Sequence, residues 1–150
     1  IFSRIPENKF CGTVEDVFPG MIEDKLPVYS FLHKGYWIDM GTRETYIQAQ
    51  MDALDEKIPL KISASKNPEG PLIVPPVHIG KGCEISQEAQ VGPYTVLGDG
   101  CHIRSGAVVK NSILWADVTV DRGLTVQNSI LGEEIVISKN VNNNSIVSET

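Results

Sequence analysis

Aliphatic side chains fall at Ile73, Ile79, Ile85, Val91, Leu97, Ile103 and Val109, a strict step of six residues. An α-helix repeats every 3.6 residues and a half-buried strand every two, so neither accommodates sixes. A period this short and regular is the signature of a solenoid. A second inward candidate sits four places after most of these residues: Cys83, Ala89, Thr95, Cys101, Ala107 and then Ile113. The geometry that fits is a triangular coil in which each hexad is one short strand and one corner. Three hexads then close a turn. Gly and Asn are expected at the corners, where the backbone needs dihedrals that other residues adopt at a cost.

After Val109 the beat shortens once per turn. Leu114 comes five residues later, Val120 and Val126 follow at sixes, Leu131 comes after another five and Ile137 after six. A turn of 17 residues results, and it explains why "NSIL" at 111–114 returns at 128–131. "NSIV" at 144–147 arrives 16 residues after that, so the tail is less regular. Each of these segments is read as the tightened corner of a successive coil. A lone coil buries too little to hold itself, so backbone pairing to the coils above and below must complete it. The repeat is still running at Thr150, which predicts an end that is either capped by a partner or truncated.

Composition excludes several classes. With 41% hydrophobic and 21% charged residues the chain reads as globular rather than disordered. A formal charge of −6 leaves no electrostatic footprint for nucleic acid or an anionic membrane. No apolar run approaches the ~18 residues that span a bilayer. The opening "IFSRIPENKF" has neither an initiator Met nor a signal-peptide pattern, and is read as lying downstream of a translational start. Three cysteines make no disulfide framework, and reduced thiols in a cytoplasmic setting are the expectation.

Residues 1–57 follow a different pattern. Asp16 is read as an N-cap with Pro19 inside the first turn of a helix. "LPVYSFLH" and "YWID" read as two short strands around Lys34 and Gly35, with Trp37 in the core. Thr42 is a second N-cap, and Glu44 sits well at the positive end of its helix. Ile47, Met51 and Leu54 form that helix's apolar stripe, beside Tyr46, Ala49 and Ala53. Asp39 therefore lies where a strand ends, just before a Gly-Thr turn into a helix. Strand ends in α/β folds are common places for ligand-binding groups. Taken alone, an aspartate in this place is usually a cap for the turn.

Ile5-Pro6, Glu15-Asp16-Val17-Phe18-Pro19, and above all Tyr36-Trp37-Ile38-Asp39-Met40-Gly41-Thr42 with Tyr46 downstream, resemble the closing part of the catalytic domain of sugar nucleotidyltransferases. The nearest kinds are mannose-1-phosphate guanylyltransferases and glucose-1-phosphate nucleotidyltransferases. Residues 73–149 resemble the left-handed β-helix of hexapeptide repeats that follows this domain in such enzymes. The organisation implied is residues 1–57 as the end of an α/β catalytic domain, 58–72 as a linker containing "SASKNPEG", and 73–150 as a left-handed parallel β-helix, mainly β overall. By resemblance, the chain joins a nucleoside triphosphate to a sugar 1-phosphate with release of pyrophosphate. Asp39 holds Mg²⁺ against the phosphates, and the β-helix stabilises a homo-oligomer. The family's Gly-rich nucleotide loop, its second metal-binding aspartate and its sugar-contacting Glu-Lys pair are not found in these 150 residues. The catalytic residues are accordingly expected upstream, and the segment alone is expected to be inactive.

Other readings compete. His78 and His102 end their hexads, face outward, and lie 24 residues apart on different faces. Hexapeptide acyltransferases use a catalytic histidine, but they shape the acyl-donor pocket with a long loop that does not interrupt these coils. The His-rich spacing of a β-helix zinc site is also missing. A non-catalytic regulatory subunit of nucleotidyltransferase shape is the third alternative. Cys83 and Cys101, three hexads apart, are read as buried free thiols on adjacent coils. Glu84 stacks under His102 as a surface pair, and Trp115 points outward, toward an oligomer contact or the catalytic domain.

Overall fold

The hexads become strands of two or three residues, and every third strand stacks on the same face. The structure, a computed structural model, describes residues 1–59, 70–143 and the backbone of 146–147. Strands are numbered in chain order. One face carries β1 (Leu72–Ile73), β4 (Gln90–Val91), β7 (Val108–Lys110), β10 (Thr125–Gln127) and β13 (Val141–Asn142). The second carries β2 (Val77–Ile79), β5 (Thr95–Leu97), β8 (Ile113–Leu114), β11 (Ile130–Leu131) and β14 (Ile146–Val147). The third carries β3 (Glu84–Ile85), β6 (His102–Ile103), β9 (Thr119–Val120) and β12 (Val136–Ile137). All pairings are parallel, so the whole is a three-sided parallel β-solenoid of stacked coils.

The shortening of the repeat appears directly in the register. Gln90 pairs with Val108, eighteen residues on, and Val108 with Thr125, seventeen on. The corners are columns of residues with positive φ. Gly82, Gly100, Asp117 and Glu134 stack at one corner, and Tyr94, Asn111, Asn128 and Asn143 at another. That conformation turns the residue's N–H along the stack. Asn111 donates to the Pro93 carbonyl, and Asn128 to that of Lys110. The tightened corner therefore needs a residue tolerant of left-handed backbone, and asparagine is that residue.

The predicted lead positions fill the interior. Val91, Leu97, Val109, Leu114, Val120, Val126 and Leu131 are fully buried in one continuous core, joined by Ala89, Cys101 and Ala107. One inward assignment is wrong. Ile113 pairs with Val96, whose neighbours Thr95 and Leu97 point inward, so Ile113 lies on the outer side of its face. The place four residues after Val109 is displaced by the five-residue step, and Ser112 takes the inward position instead. Thr95, Ser112 and Ser129 form a buried hydroxyl column. Their hydroxyls donate to the carbonyls of Pro93, Lys110 and Gln127 at 3.0, 2.8 and 2.8 Å. The Ser112 oxygen also accepts the Ser129 N–H at 3.2 Å. Each buried hydroxyl is thus satisfied at the corner it helps to tighten.

Cys83 and Cys101 are free, as expected, but only Cys101 is buried; Cys83, on the first coil, is half-buried. Their thiols donate to the carbonyls of Gly98 and Trp115 at 3.0 and 3.1 Å. Hydrogen bonding with Cys83 and burial push the Cys101 thiol up, away from its reactive form.

Gly92 is the corner position with least freedom. Its φ is +99°, and a β-carbon there would strike the Val74 carbonyl and sit 2.6 Å from Val77 Cγ2. The first obstacle is backbone and cannot swing aside. Gly92→Ala is expected to destabilise the solenoid by about 3 kcal/mol, adding the strained dihedral to the overlap. Denaturant unfolding measures it, and a loss under ~0.5 kcal/mol would contradict this account of the corner.

Two compact units divide the chain, Ile1–Gly35 and Tyr36–Thr150. The first has a short 3₁₀ turn at Phe2–Arg4, a π turn at Thr13–Val17 and helix α1 (Phe18–Glu23). Pro19 lies in the first turn of α1 as predicted. Asp16 is not its N-cap. The chain enters α1 through the π turn, so Val17 holds the cap position already in helical dihedrals. Asp16 instead accepts the Gly12 N–H at 2.8 Å. Arg4 and Asp24 pair at 2.6 Å. Of the unit's apolar residues only Val17 is buried, while Phe10, Tyr29 and Phe31 are about 90% exposed.

The strands read in "LPVYSFLH" and "YWID" do not form. A strand is completed by a ladder partner, and no described strand pairs with either segment. Trp37, expected in the core, is exposed for the same reason. The proposed linker at 58–72 and the tail lie largely outside the described residues. No described helix is long and apolar enough to cross a membrane.

Candidate functional site

Asp39 lies in the second unit, four residues before the start of helix α2 (Arg43–Leu54). Thr42 caps that helix as predicted, through a reciprocal box with Thr45. Thr42 Oγ1 accepts the Thr45 N–H at 3.2 Å, and Thr45 Oγ1 accepts the Thr42 N–H at 3.1 Å. This closes two otherwise open donors and fixes where the helix begins. Glu44 falls in the first turn. The Asp39 side chain is exposed and folds back toward Gly41, where an added β-carbon would sit 3.4 Å from Oδ1. Among the described residues no group of three or more His, Cys, Asp or Glu is gathered to hold a metal. Asp39 is therefore a single presented carboxylate.

Hydropathy alone missed the most structured polar group. Asp52 is 7% exposed, on the face of α2 that also buries Ala49 and Leu54. Its carboxylate accepts from Tyr36 Oη at 2.7 Å, Gln48 Nε2 at 2.8 Å and Lys57 Nζ at 2.7 Å. Lys57 also lies 3.5 Å from Asp55. The Lys57 hydrogen bond, then those of Tyr36 and Gln48, hold the Asp52 carboxyl down at about 2 from its ordinary 3.8. Lys57 is raised in turn, first by its hydrogen bond to Asp52. Burial, followed by the Asp52 hydrogen bond, raises the Tyr36 hydroxyl.

A carboxyl depressed in the fold stabilises it above the unfolded value and loses that contribution as pH falls through the folded one. Anchoring of Tyr36 and Lys57 to α2 is thus expected to be intact above about pH 4 and released between there and about pH 2. An acid titration of Tyr36 absorbance or chemical shift reads it. Asp52→Asn should remove that transition, and an unchanged transition in the variant would refute the assignment.

Helix α2 covers the outer side of the face that carries β5 and β8. Trp115 Nε1 donates to Tyr46 Oη at 3.2 Å, so the outward-facing indole meets the helix, one of the two contacts foreseen for it. A cleft of ≈450 Å³ lies between Ile47 and Met51 of α2 and the corner residues Tyr94, Asn111 and Asn128, with Ile113 as part of its lining. Asp39 does not line it. Arg43 Nε and Nη2 are buried without a hydrogen-bond partner among the described residues.

The histidines stay apart. His78 is on β2 and His102 on β6, on different faces. His102 Nδ1 meets Glu84 Oε2 at 3.1 Å, the predicted exposed pair, a contact of small energetic weight. Through the described residues from 72 to 143 no long loop interrupts the coils.

The fold and this segment together define a class: a parallel β-solenoid preceded by a segment that ends in a capped helix packed on one of its faces. Comparison with known proteins supplies the particular family. Residues 73–150 match the family described as the GMPPB C-terminal domain, to which the chain belongs, and residues 5–56 match the one described as nucleotidyl transferase. Among curated relatives, a glucose-1-phosphate adenylyltransferase of Desulfitobacterium hafniense is 28% identical, over 82% of this chain and 33% of its own length. A glucose-1-phosphate adenylyltransferase of Bacillus subtilis is 32% identical, over 75% of this chain and 28% of its own length. A mannose-1-phosphate guanylyltransferase of Mycobacterium tuberculosis is 25% identical, over 73% and 34%. The chain thus spans about a third of the length of the relatives it matches, and its two matched segments follow each other in the order read from the sequence.

Proposed function

We propose that this chain is the C-terminal portion of an enzyme that transfers a nucleotidyl group from a nucleoside triphosphate to a sugar 1-phosphate, releasing pyrophosphate. The observation that carries the reading is the sequence of two family matches on one chain, with Asp39 presented at the junction of "YWID" and α2. Mg²⁺ is the metal whose chemistry fits best. It takes one or two carboxylates and keeps water and phosphate oxygens as its other ligands, so a lone exposed aspartate is an appropriate contribution. When bound, the ion supplies neutralisation of the crowded phosphate oxygens during in-line displacement. Asp39 would hold it, and the Thr42 cap fixes the backbone on which Asp39 is carried.

In this reading residues 1–57 close a catalytic domain whose remaining elements complete the strand read at 26–33 and cover Phe10, Tyr29, Phe31 and Trp37. The solenoid stabilises the enzyme and supports a homo-oligomer, and the protein works in the cytoplasm without nucleic acid or membrane partners. The test is pyrophosphate release by the full-length protein carrying this segment, with Mg²⁺, across a panel of nucleoside triphosphates and sugar 1-phosphates. Turnover with one pair is expected, and none from residues 1–150 alone. Acyl transfer from acyl-CoA, or absence of turnover with every pair, would overturn the reading.

A further inference from the structure

The stretch from Tyr36 to Thr42 is fastened to helix α2 at both ends. At one end, the Tyr36 hydroxyl donates to Asp52 at 2.7 Å, near the C-terminal end of the helix. At the other, Thr42 is locked to the first turn by its box with Thr45. Thr42 and Asp52 are ten residues apart on the helix, a rise of roughly 15 Å. Six residues of extended chain reach at most ~20 Å and the long Tyr36 side chain adds to that reach, so the strap can span the distance back along the helix. Asp39 sits midway between the two fastenings, and its side chain is exposed.

We propose that Asp52 is a positioning residue for Asp39, acting through Tyr36. It touches neither Asp39 nor a ligand; it fixes the far end of the strap on which the Asp39 carboxylate is presented. A buried carboxylate is costly unless it is paired and hydrogen-bonded, and Lys57 and Gln48 make it tolerable here. Those two contacts stabilise the anion, while the Tyr36 contact converts that anchored charge into a restraint on residues 36–39. Released at Tyr36, the strap would swing about Thr42, and a metal-binding carboxylate held in one place would become one of many orientations. Ordering it again on binding would weaken affinity without removing a ligand.

The inference rests on Asp39 being the metal ligand, and the experiment separates the two claims. The full-length protein and its Asp39→Ala, Tyr36→Phe and Asp52→Asn variants are titrated with MnCl₂, free Mn²⁺ being read by electron paramagnetic resonance. Amide exchange of residues 36–42 is followed in parallel by mass spectrometry. Asp39→Ala is expected to abolish the Mn²⁺ site. Tyr36→Phe, which removes one hydroxyl and keeps the ring, is expected to weaken Mn²⁺ binding three- to tenfold and speed exchange of 36–42 at least fivefold, with little change in melting temperature. Asp52→Asn should do the same or more; if it fails to fold, Tyr36→Phe decides. Loss of the site in Asp39→Ala with wild-type Mn²⁺ affinity in Tyr36→Phe would overturn the positioning role alone. An Asp39→Ala variant that binds Mn²⁺ like the wild type would overturn both.

Discussion

Val109→Asp is expected to prevent the solenoid from folding, whereas Val109→Ala should leave it folded and weakened by roughly 2–3 kcal/mol. Val109 is fully buried between Val91 of the coil before and Val126 of the coil after. Truncation to alanine removes two methyl groups and leaves a small cavity. A carboxylate in the same place would face an interior column of apolar side chains, with no donor aimed at it. Even protonated, an unsatisfied polar group there costs about 2–7 kcal/mol on top of the lost burial. Coils of a solenoid stand only through their neighbours, so the damage reaches the interface above and the interface below together. Domain stabilities of about 5–15 kcal/mol leave little room for that sum. Far-UV circular dichroism with thermal melting reads the outcome. A cooperative melt of Val109→Asp within a few degrees of the wild type would mean that the side chain does not point into a closed core.

The solenoid was legible because its constraint is periodic. A six-residue beat of aliphatic side chains is incompatible with a helix or an isolated strand, and its lead residues proved to be the buried ones from Val91 onward. The loss of one residue per turn was also visible, as the 17-residue return of "NSIL". Its local consequence was misread. Counting four places from Val109 lands on Ile113, but the shortened corner moves the inward place to Ser112. A serine there is legible only once its hydroxyl is seen to satisfy the Lys110 carbonyl. Sequence reading favours apolar residues for inward positions and so passes over a hydroxyl column that is closed by its own corner.

The N-terminal half was less legible for the opposite reason. Strand propensity in "LPVYSFLH" and "YWID" reflects half-buried surfaces that a paired sheet provides, and propensity is expressed only where partners exist. Asp52 shows a different limit. It lies on the buried face of α2 three residues after Ala49, and nothing local distinguishes it from a solvated aspartate. What makes it a hub is the convergence of Tyr36, sixteen residues earlier, with Gln48 and Lys57. Asp39 stood out by its motif, which is local in sequence, whereas the Asp52 hub is not.

Asp39→Ala in the full-length protein is expected to lower kcat/KM for pyrophosphate release by roughly 10²–10³-fold, the scale seen when one group stabilising developing charge is removed. Each factor of ten corresponds to about 1.4 kcal/mol of transition-state stabilisation. Because the side chain is exposed and sits outside the buried cores of both units, the melting temperature should barely move, as for ordinary surface substitutions. That separation of activity from stability is what distinguishes a ligand from a turn cap. Asp39→Asn sharpens the test, since it keeps shape and one oxygen donor but removes the charge. It should lose less activity than alanine and regain part of it as Mg²⁺ is raised, because a weaker ligand is offset by mass action. Loss through misfolding would not respond to the ion. Steady-state rates across a Mg²⁺ series decide the matter. Wild-type rates in Asp39→Ala at every Mg²⁺ concentration would reduce Asp39 to a residue that shapes the approach to α2, and the ion's protein ligands would have to come from elsewhere in the enzyme.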